Sequence, residues 1–321
     1  MTRSERLEFI ARRTGWALLT LAFIFTVNFF LFRIMPGDPI ALLARSQRLS
    51  PEALELQRVA FGLDQPLITQ FGVYVRETIS GNLGVSLISG LPVWELILSR
   101  MWPTLLLVGI GTILAAGIGV LAGIRGGWRR GSRFDSGSLY TSMVLYSTPE
   151  GWLGMLLLIL FAGLLGWFPA GGYSSSTSSG TTDVAMHLAL PVLALALGYV
   201  GQFLIVMRSS MMEVKAQPYI DLARAKGLTD PDVRRRHAVP NAILPIFTLV
   251  VISVGFILGG AIVIETVFSW PGIGLLTYEA IQTLDYPVLQ GVFLISSAAV
   301  IFASLVADVT YGLLDPRVGA T

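Results

Sequence analysis

The sequence predicts an all-α, polytopic membrane protein with six transmembrane helices, and three observations carry that prediction. The first is composition: 54% of the 321 residues are hydrophobic and 13% are charged, with a mean hydropathy of +0.71, far more apolar than a chain whose surface must face water. The second is run length, because a hydrocarbon core of about 30 Å takes about 20 apolar residues of helix and runs of that kind recur along the chain. The third is the placement of basic residues, which alternates from one connecting segment to the next as a membrane topology requires.

The six runs cover approximately 16–35, 102–124, 139–167, 185–207, 244–267 and 288–313. The first has basic flanks (Arg3, Arg6, Arg12, Arg13) but no small-residue cleavage site before Arg33 and Pro36, so it is read as a retained anchor rather than a signal peptide. Four arginines at the N-terminus, four more at Arg125, Arg129, Arg130 and Arg133, and seven Lys or Arg between 208 and 236 fall on one side of six spans. That side is cytoplasmic by the positive-inside rule, with both termini on it. Segments 168–184 and 268–287, on the other side, hold no Lys or Arg, only Asp183, Glu279 and Asp285. The organisation expected is a cytoplasmic N-terminus (1–15), a first span (16–35), an external segment (36–101), a core of five spans (102–313) containing a cytoplasmic region at 208–243, and a cytoplasmic C-terminus (314–321).

Segment 36–101 balances Arg45, Arg48, Arg58, Arg76 and Arg100 against Asp38, Glu52, Glu55, Asp64, Glu77 and Glu95. Its amphipathic pieces at 51–61 and 67–79 predict a small helical cap at the outer surface. The Ser/Thr/Gly run 171–182 is a flexible loop by composition. No internal repeat is evident, which leaves an inverted-repeat carrier without support.

Cysteine is absent, so no disulfide, thiolate nucleophile or Cys-ligated metal is available. The two histidines, His187 and His237, form no His-Glu-x-x-His pair, and no metal site is expected. The net charge of +2 and pI near 9.0 are accounted for by the topological arginines, and nucleic acid is not needed to explain them.

The largest polar stretch, 208–243, holds a short helix from Tyr219 to Gly227, with Asp221 near its N-terminus and Gly227 as a left-handed C-cap. A second helix is expected to begin with Thr229 or Asp230 as N-cap and Pro231 at the first helical position. Two short helices at an angle form a plug that a partner can dock on. The plain alternative is a solvated basic loop.

The order Asp221-Leu222-Ala223-Arg224-Ala225-Lys226-Gly227, followed by His237-Ala238-Val239-Pro240, resembles the cytoplasmic EAA motif of bacterial ATP-binding-cassette importer permeases. Asp221, Ala223, Gly227 and Pro240 match that motif in register, while Leu222, His237 and Val239 depart from it. Further segments are similar to the B-type subunit of the dipeptide/oligopeptide/nickel permease family. They are Met35-Pro36-Gly37-Asp38-Pro39, 61–66, 81–86, 92–96, Trp270-Pro271-Gly272-Ile273-Gly274 and Leu314-Asp315-Pro316-Arg317.

The resemblance implies a type I importer permease (MetI-like) fold in the bacterial inner membrane. It also implies four kinds of partner: a second, C-type permease, two cytoplasmic ATPases, an extracytoplasmic substrate-binding protein and the lipid bilayer. The ATPase-coupling residues would be Tyr219, Asp221, Leu222, Ala223, Arg224, Ala225, Lys226, Gly227 and Pro240. Small Ala223 and Ala225 would allow close approach, and Arg224 and Lys226 would pair with partner acids. The chain itself carries no Gly-x-x-x-x-Gly-Lys-[Ser/Thr] loop, its lysines being Lys215 and Lys226, so no cofactor is expected on it, and ATP and Mg would belong to the ATPases. Peptides are the first expectation for cargo, with glutathione and nickel complexes as alternatives.

Polar residues inside the spans mark pathways or interhelical bonds. Asn28, Glu150 and Gln202 are the pathway candidates, with Glu265, Gln290 and Asp308 beside them. Glu150 follows Pro149, which frees a carbonyl and kinks the span; pore lining and an interhelical or subunit-interface hydrogen bond both remain open for it. The glycines at 109, 111, 117, 119, 123, 255, 259 and 260 are read as close helix packing. A membrane enzyme is disfavoured for want of Gly-x-Ser-x-Gly, Gly-x-Gly-Asp or a histidine–acid pair at helical spacing. A channel or ion-coupled carrier is disfavoured by the scatter of the acids.

Overall fold

The computed structural model describes residues 3–34, 64–175, 180–257 and 261–314, and every regular element among them is helical. The amphipathic piece expected at 51–61, the motifs beginning at Met35 and Phe61, Gly259, Gly260 and residues 315–321 lie wholly or partly outside the described residues.

In chain order the helices are α1 (Arg3–Ile34), α2 (Leu67–Ile79), α3 (Val93–Trp128), α4 (Arg133–Ser147) and α5 (Glu150–Leu157, prolonged by the π-helical Leu158–Leu164). They continue with α6 (Thr181–Lys215), α7 (Pro218–Ala225), α8 (Asp230–Ala242), α9 (Leu244–Ile257), α10 (Ile262–Val267), α11 (Ile273–Thr283) and α12 (Tyr286–Leu314). Among the described residues helices α1, α3, α6 and α12 are long and apolar enough to cross a membrane, and counting each of two bent pairs, α4 with α5 and α8 with α9, as one span brings the number to six. Large apolar side chains point outward along them: Leu19, Phe23, Ile113, Leu121 and Phe302 are between 62% and 74% exposed, as suits helices solvated by lipid.

Four of the predicted runs change their boundaries. The third run is two helices meeting at 99°, because Pro149 has no amide hydrogen and drives Thr148 into extended backbone at φ −87° and ψ 128°. The fifth run is divided between α9 and α10. Helix α6 continues past Met207 to Lys215, and α3 begins at Val93, so the tail of segment 36–101 is continuous with the second span.

Helix α6 is central: 56% of its apolar window is buried, against 11% for α1. It lies on α3 along a strip with almost no side chains, formed by Gly111, Ala115, Gly119, Gly123 and Gly127 at intervals of one helical turn. A Cβ at Gly119 would stand 2.7 Å from Phe203 Cβ, at Gly123 2.7 Å from Met207 Cβ, and at Gly127 2.6 Å from Met211 Cβ. Gly109 and Gly117 turn the other way and meet nothing within 4 Å. Gly255 makes a similar approach to Ala303 at 2.7 Å, between α9 and α12.

Helix α1 runs antiparallel to α12. Arg13 pairs with Asp308 at 3.1 Å at one end, and Asn28 Nδ2 donates to the Gln290 carbonyl at 3.1 Å towards the other. The arginine-rich segments therefore gather at a single end of the bundle. There Arg208 makes two bonds to Asp135, at 2.5 and 2.9 Å, and Asp135 also accepts from Gly131 N at 2.9 Å. The opposite end is closed by Asp285, which accepts from the Ser86 hydroxyl at 2.5 Å and from Leu87 N at 3.1 Å. At that end α2 lies against α1 through Phe29, Phe71 and Tyr74. Asn82 and Arg76 hold the carboxyl of Glu77, in the last turn of α2, below the usual carboxylate range.

Substituting Gly123→Leu is expected to force α3 and α6 apart and destabilise the protein by about 1–3 kcal/mol. Gly117→Leu, on the open face of the same helix, is expected to leave stability unchanged. Thermal unfolding in detergent distinguishes the two.

Candidate functional site

Two helices follow one another at the arginine-rich end, where the sequence places them. Pro218 opens α7, its missing amide hydrogen costing nothing at a first helical position, and Gly227 closes it at φ +84°, a conformation that disfavours any residue with a Cβ. The side chain of Thr229 caps α8 by accepting from Asp232 N at 3.4 Å. Asp230 is the first residue of α8 and Pro231 the second.

Ile220 and Ala223 face inward onto Trp128, Val233, Ala238 and Ala242. Outward stand Asp221, Leu222, Ala225 and Lys226, with Tyr219 beside them; Leu222 is 57% exposed, unusual for a leucine on a polar helix. Partial burial pushes the Tyr219 phenol above its ordinary range. Pro240 is exposed on α8.

Two expected contacts turn inward instead. Ala223 packs inside this chain rather than presenting itself to a partner. The Arg224 guanidinium lies 3.2 Å from Asp221 and 3.5 Å from Asp230, over the Trp128 ring at 5.6 Å. Lys226 remains the outward cation of α7.

Trp128, the last residue of α3 and 3% exposed, joins these elements. Its indole N–H donates to Asp230 at 2.7 Å, its carbonyl accepts from Lys215 Nζ at 2.6 Å, and Lys215 and Arg224 both approach its ring. The ends of α3 and α6 are thus tied to α7 and α8. Neither Trp128 nor Asp135 was singled out from sequence. The available signals were a tryptophan closing an apolar run and the Ser132-x-x-Asp135 spacing of a capping box.

The polar residues of the spans separate into two groups. Asn28, 5% exposed, is an interhelical bond rather than a lining residue, since its amide also reaches Tyr74 Oη at 3.3 Å. Glu265 is fully buried and structural: it accepts from Thr104 Oγ1 at 2.9 Å and from Leu275 N at 3.0 Å at the start of α11. Thr104 Oγ1 in turn accepts from Ile273 N at 2.8 Å, and Trp270 Nε1 donates to the Pro103 carbonyl at 2.9 Å. Together these bonds seat segment 270–275 on α3. Asp308 is the partner of Arg13. Glu150 and Gln202 form no hydrogen bond or ion pair among the described residues.

One histidine does stand beside an acid at helical spacing: His187 Nδ1 lies 3.7 Å from Asp183 Oδ1 and 2.9 Å from its carbonyl. The neighbouring Ser175 hydroxyl donates to Asp183 at 2.8 Å, not to the imidazole. Among the described residues this cluster therefore places no base on a nucleophile, and it ties Ser175 to the start of α6.

Helices long and apolar enough to cross a membrane, with short helices packed together at the basic end, define a multi-spanning membrane protein. The chain belongs to the family described as "Binding-protein-dependent transport system inner membrane component", matched over residues 115–320, with the N-terminal component of the same systems matched over residues 6–108. It is 36% identical to the "Di/tripeptide transport system permease protein DppB" of Pseudomonas aeruginosa (strain UCBPP-PA14), across 97% of this chain and 98% of that protein. It is 34% identical, over the same shares, to the "Dipeptide transport system permease protein DppB" of Escherichia coli (strain K12) and to the "Oligopeptide transport system permease protein AppB" of Bacillus subtilis (strain 168). The chain is thus an integral inner-membrane permease with a type I importer fold.

Replacing Trp128→Ala is expected to remove about 3–5 kcal/mol of packing and to loosen α7 while the spans stay folded. Trypsin should then cut after Arg224 and Lys226 several-fold faster than in the unsubstituted protein, as read by mass spectrometry of timed digests.

Proposed function

We propose that this chain forms half of the translocation pathway of an ATP-driven importer of peptides, and that α7, Gly227 and α8 are where cytoplasmic ATPases press on it. The observation that carries the reading is the plug itself, whose outward face of Tyr219, Asp221, Leu222, Ala225 and Lys226 joins an exposed apolar side chain to charges of both signs. Such a face suits a groove on a protein better than water. With the arginine-rich end cytoplasmic, residues 1–15, 208–243 and 314–321 lie on the ATPase side, and segment 36–101 faces an external binding protein.

The full assembly holds a second, C-type permease and two ATPases, which carry ATP and Mg; this chain binds no cofactor. Peptides are favoured as cargo because the relatives' names specify dipeptides, tripeptides and oligopeptides. Closure of the ATPase pair would move α7 as a rigid body, and the bundle would switch between two packings.

Uptake of radiolabelled Ala-Ala into proteoliposomes holding the whole assembly should require ATP inside and loaded binding protein outside. Leu222→Arg, on an exposed position that folding tolerates, should reduce both ATPase association and uptake about tenfold or more. Uptake that persists after ATP depletion, or equal ATPase association in the two proteins, overturns the reading.

A further inference from the structure

The acids inside the bundle are paired with one exception. Asp135, Glu265, Asp285 and Asp308 each hold a hydrogen-bonded partner, whereas the Glu150 carboxylate has none among the described residues. Its place is set by three local features. The 99° bend at Pro149 sets the start of α5 and puts Glu150, half-buried, in its first turn. Gly151 and Gly154 press α5 onto Val263, Val267 and Phe268, which fixes the direction of the helix. Gly198 on α6 leaves room for the side chain: a Cβ there would stand 3.2 Å from Glu150 Cγ and 3.6 Å from Oε1.

Gly198 is close to the midpoint of the 35-residue α6, so about 25 Å of helix extends to either side of it. Tyr199, 38% exposed, adjoins it, and half-buried Gln202 lies one turn further along the same strip of α6. An unpaired carboxylate at that depth does not face hydrocarbon. Among the described residues the chain supplies it with no countercharge.

We propose that Glu150, seated on Gly198 and flanked by Tyr199 and Gln202, is where the pathway takes hold of the α-ammonium group of a passing peptide. The inference rests on the peptide-importer reading and adds to it a contact and a specificity. The α-ammonium is the one cation that every free peptide carries whatever its side chains. It has three N–H donors, and a carboxylate, a phenol and an amide carbonyl offer oxygen acceptors along one strip. A single carboxylate contact of this kind recognises the common end of the cargo and leaves the side chains unread.

The test uses the complete reconstituted assembly and radiolabelled Ala-Ala. Glu150→Gln keeps the shape and removes the charge, and uptake is expected to fall about tenfold, while assembly and binding-protein-stimulated ATP hydrolysis persist. Glu150→Asp should retain most of the uptake. A photoreactive p-benzoylphenylalanine at position 199 should cross-link the dipeptide during turnover, and Glu150→Gln should abolish that adduct. Uptake by Glu150→Gln within twofold of the unsubstituted protein overturns the inference, as does absence of the adduct while transport proceeds. Either result leaves peptide import standing, because failure of that reading shows separately as no Ala-Ala uptake by the unsubstituted assembly.

Discussion

The contact between α3 and α6 is the constraint on which the other elements depend. In a bilayer the surrounding tails are as apolar as the helices, so association rests on close packing rather than on expulsion of water. A strip of glycines and one alanine lets the α3 backbone meet side chains and carbonyls of α6 directly, with Gly127 as its last rung. The next residue is Trp128, and the seam passes from backbone packing into the hydrogen bonds and ring contacts that fasten α7 and α8. Shifting the seam by one turn would separate Trp128 from Lys215 and Arg208 from Asp135 together.

A second constraint follows from the medium. Hydroxyls in these spans bond to carbonyls one turn earlier, as Thr20, Thr26 and Ser253 do, while irregular backbone occurs where polar partners remote in sequence are at hand. The turn at 268–273 breaks the helical ladder, yet Glu265 and Thr104 receive its amides and the Pro103 carbonyl receives the Trp270 indole. The loop at 81–92 is arranged around Asp285 in the same way. Glu150 stands apart because the break at Pro149 brings no such partner to it.

Features that depend on one or a few neighbouring residues were legible in the sequence. The membrane class, the clustering of basic segments at one end, helix 67–79, the left-handed Gly227 and the Thr229 cap follow from run length, charge and turn chemistry. Features that depend on which face of a helix meets which neighbour were not. Composition could not tell that Gly111, Gly119 and Gly123 lie in the seam while Gly109 and Gly117 do not. The same limit hid the inward turn of Ala223 and Arg224, which is set by Trp128 nearly a hundred residues earlier, and the use of Asn28 to bind α12. Proline at 149 announced a bend, but not that it measures 99°. The Asp183–His187 pair was in plain view at a spacing of four and was missed.

On the proposed reading, one helix joins the two ends of the mechanism. Lys215 and Arg208 near the end of α6 belong to the network around Trp128 and Asp135, while Gly198 and Gln202 lie at mid-depth on the same unbroken helix. Arg224 fastens α7 to Asp230 and to the Trp128 ring, so a force on α7 is delivered to α3 and α6 together rather than absorbed in a loop. Because the glycine seam leaves little slack between those two helices, they move as one body. Helix α5 lies between the two, meeting α6 at Gly198 on one side and α10 at Val263 and Val267 on the other, so the carboxyl of Glu150 is carried on the same packed assembly that reaches α7.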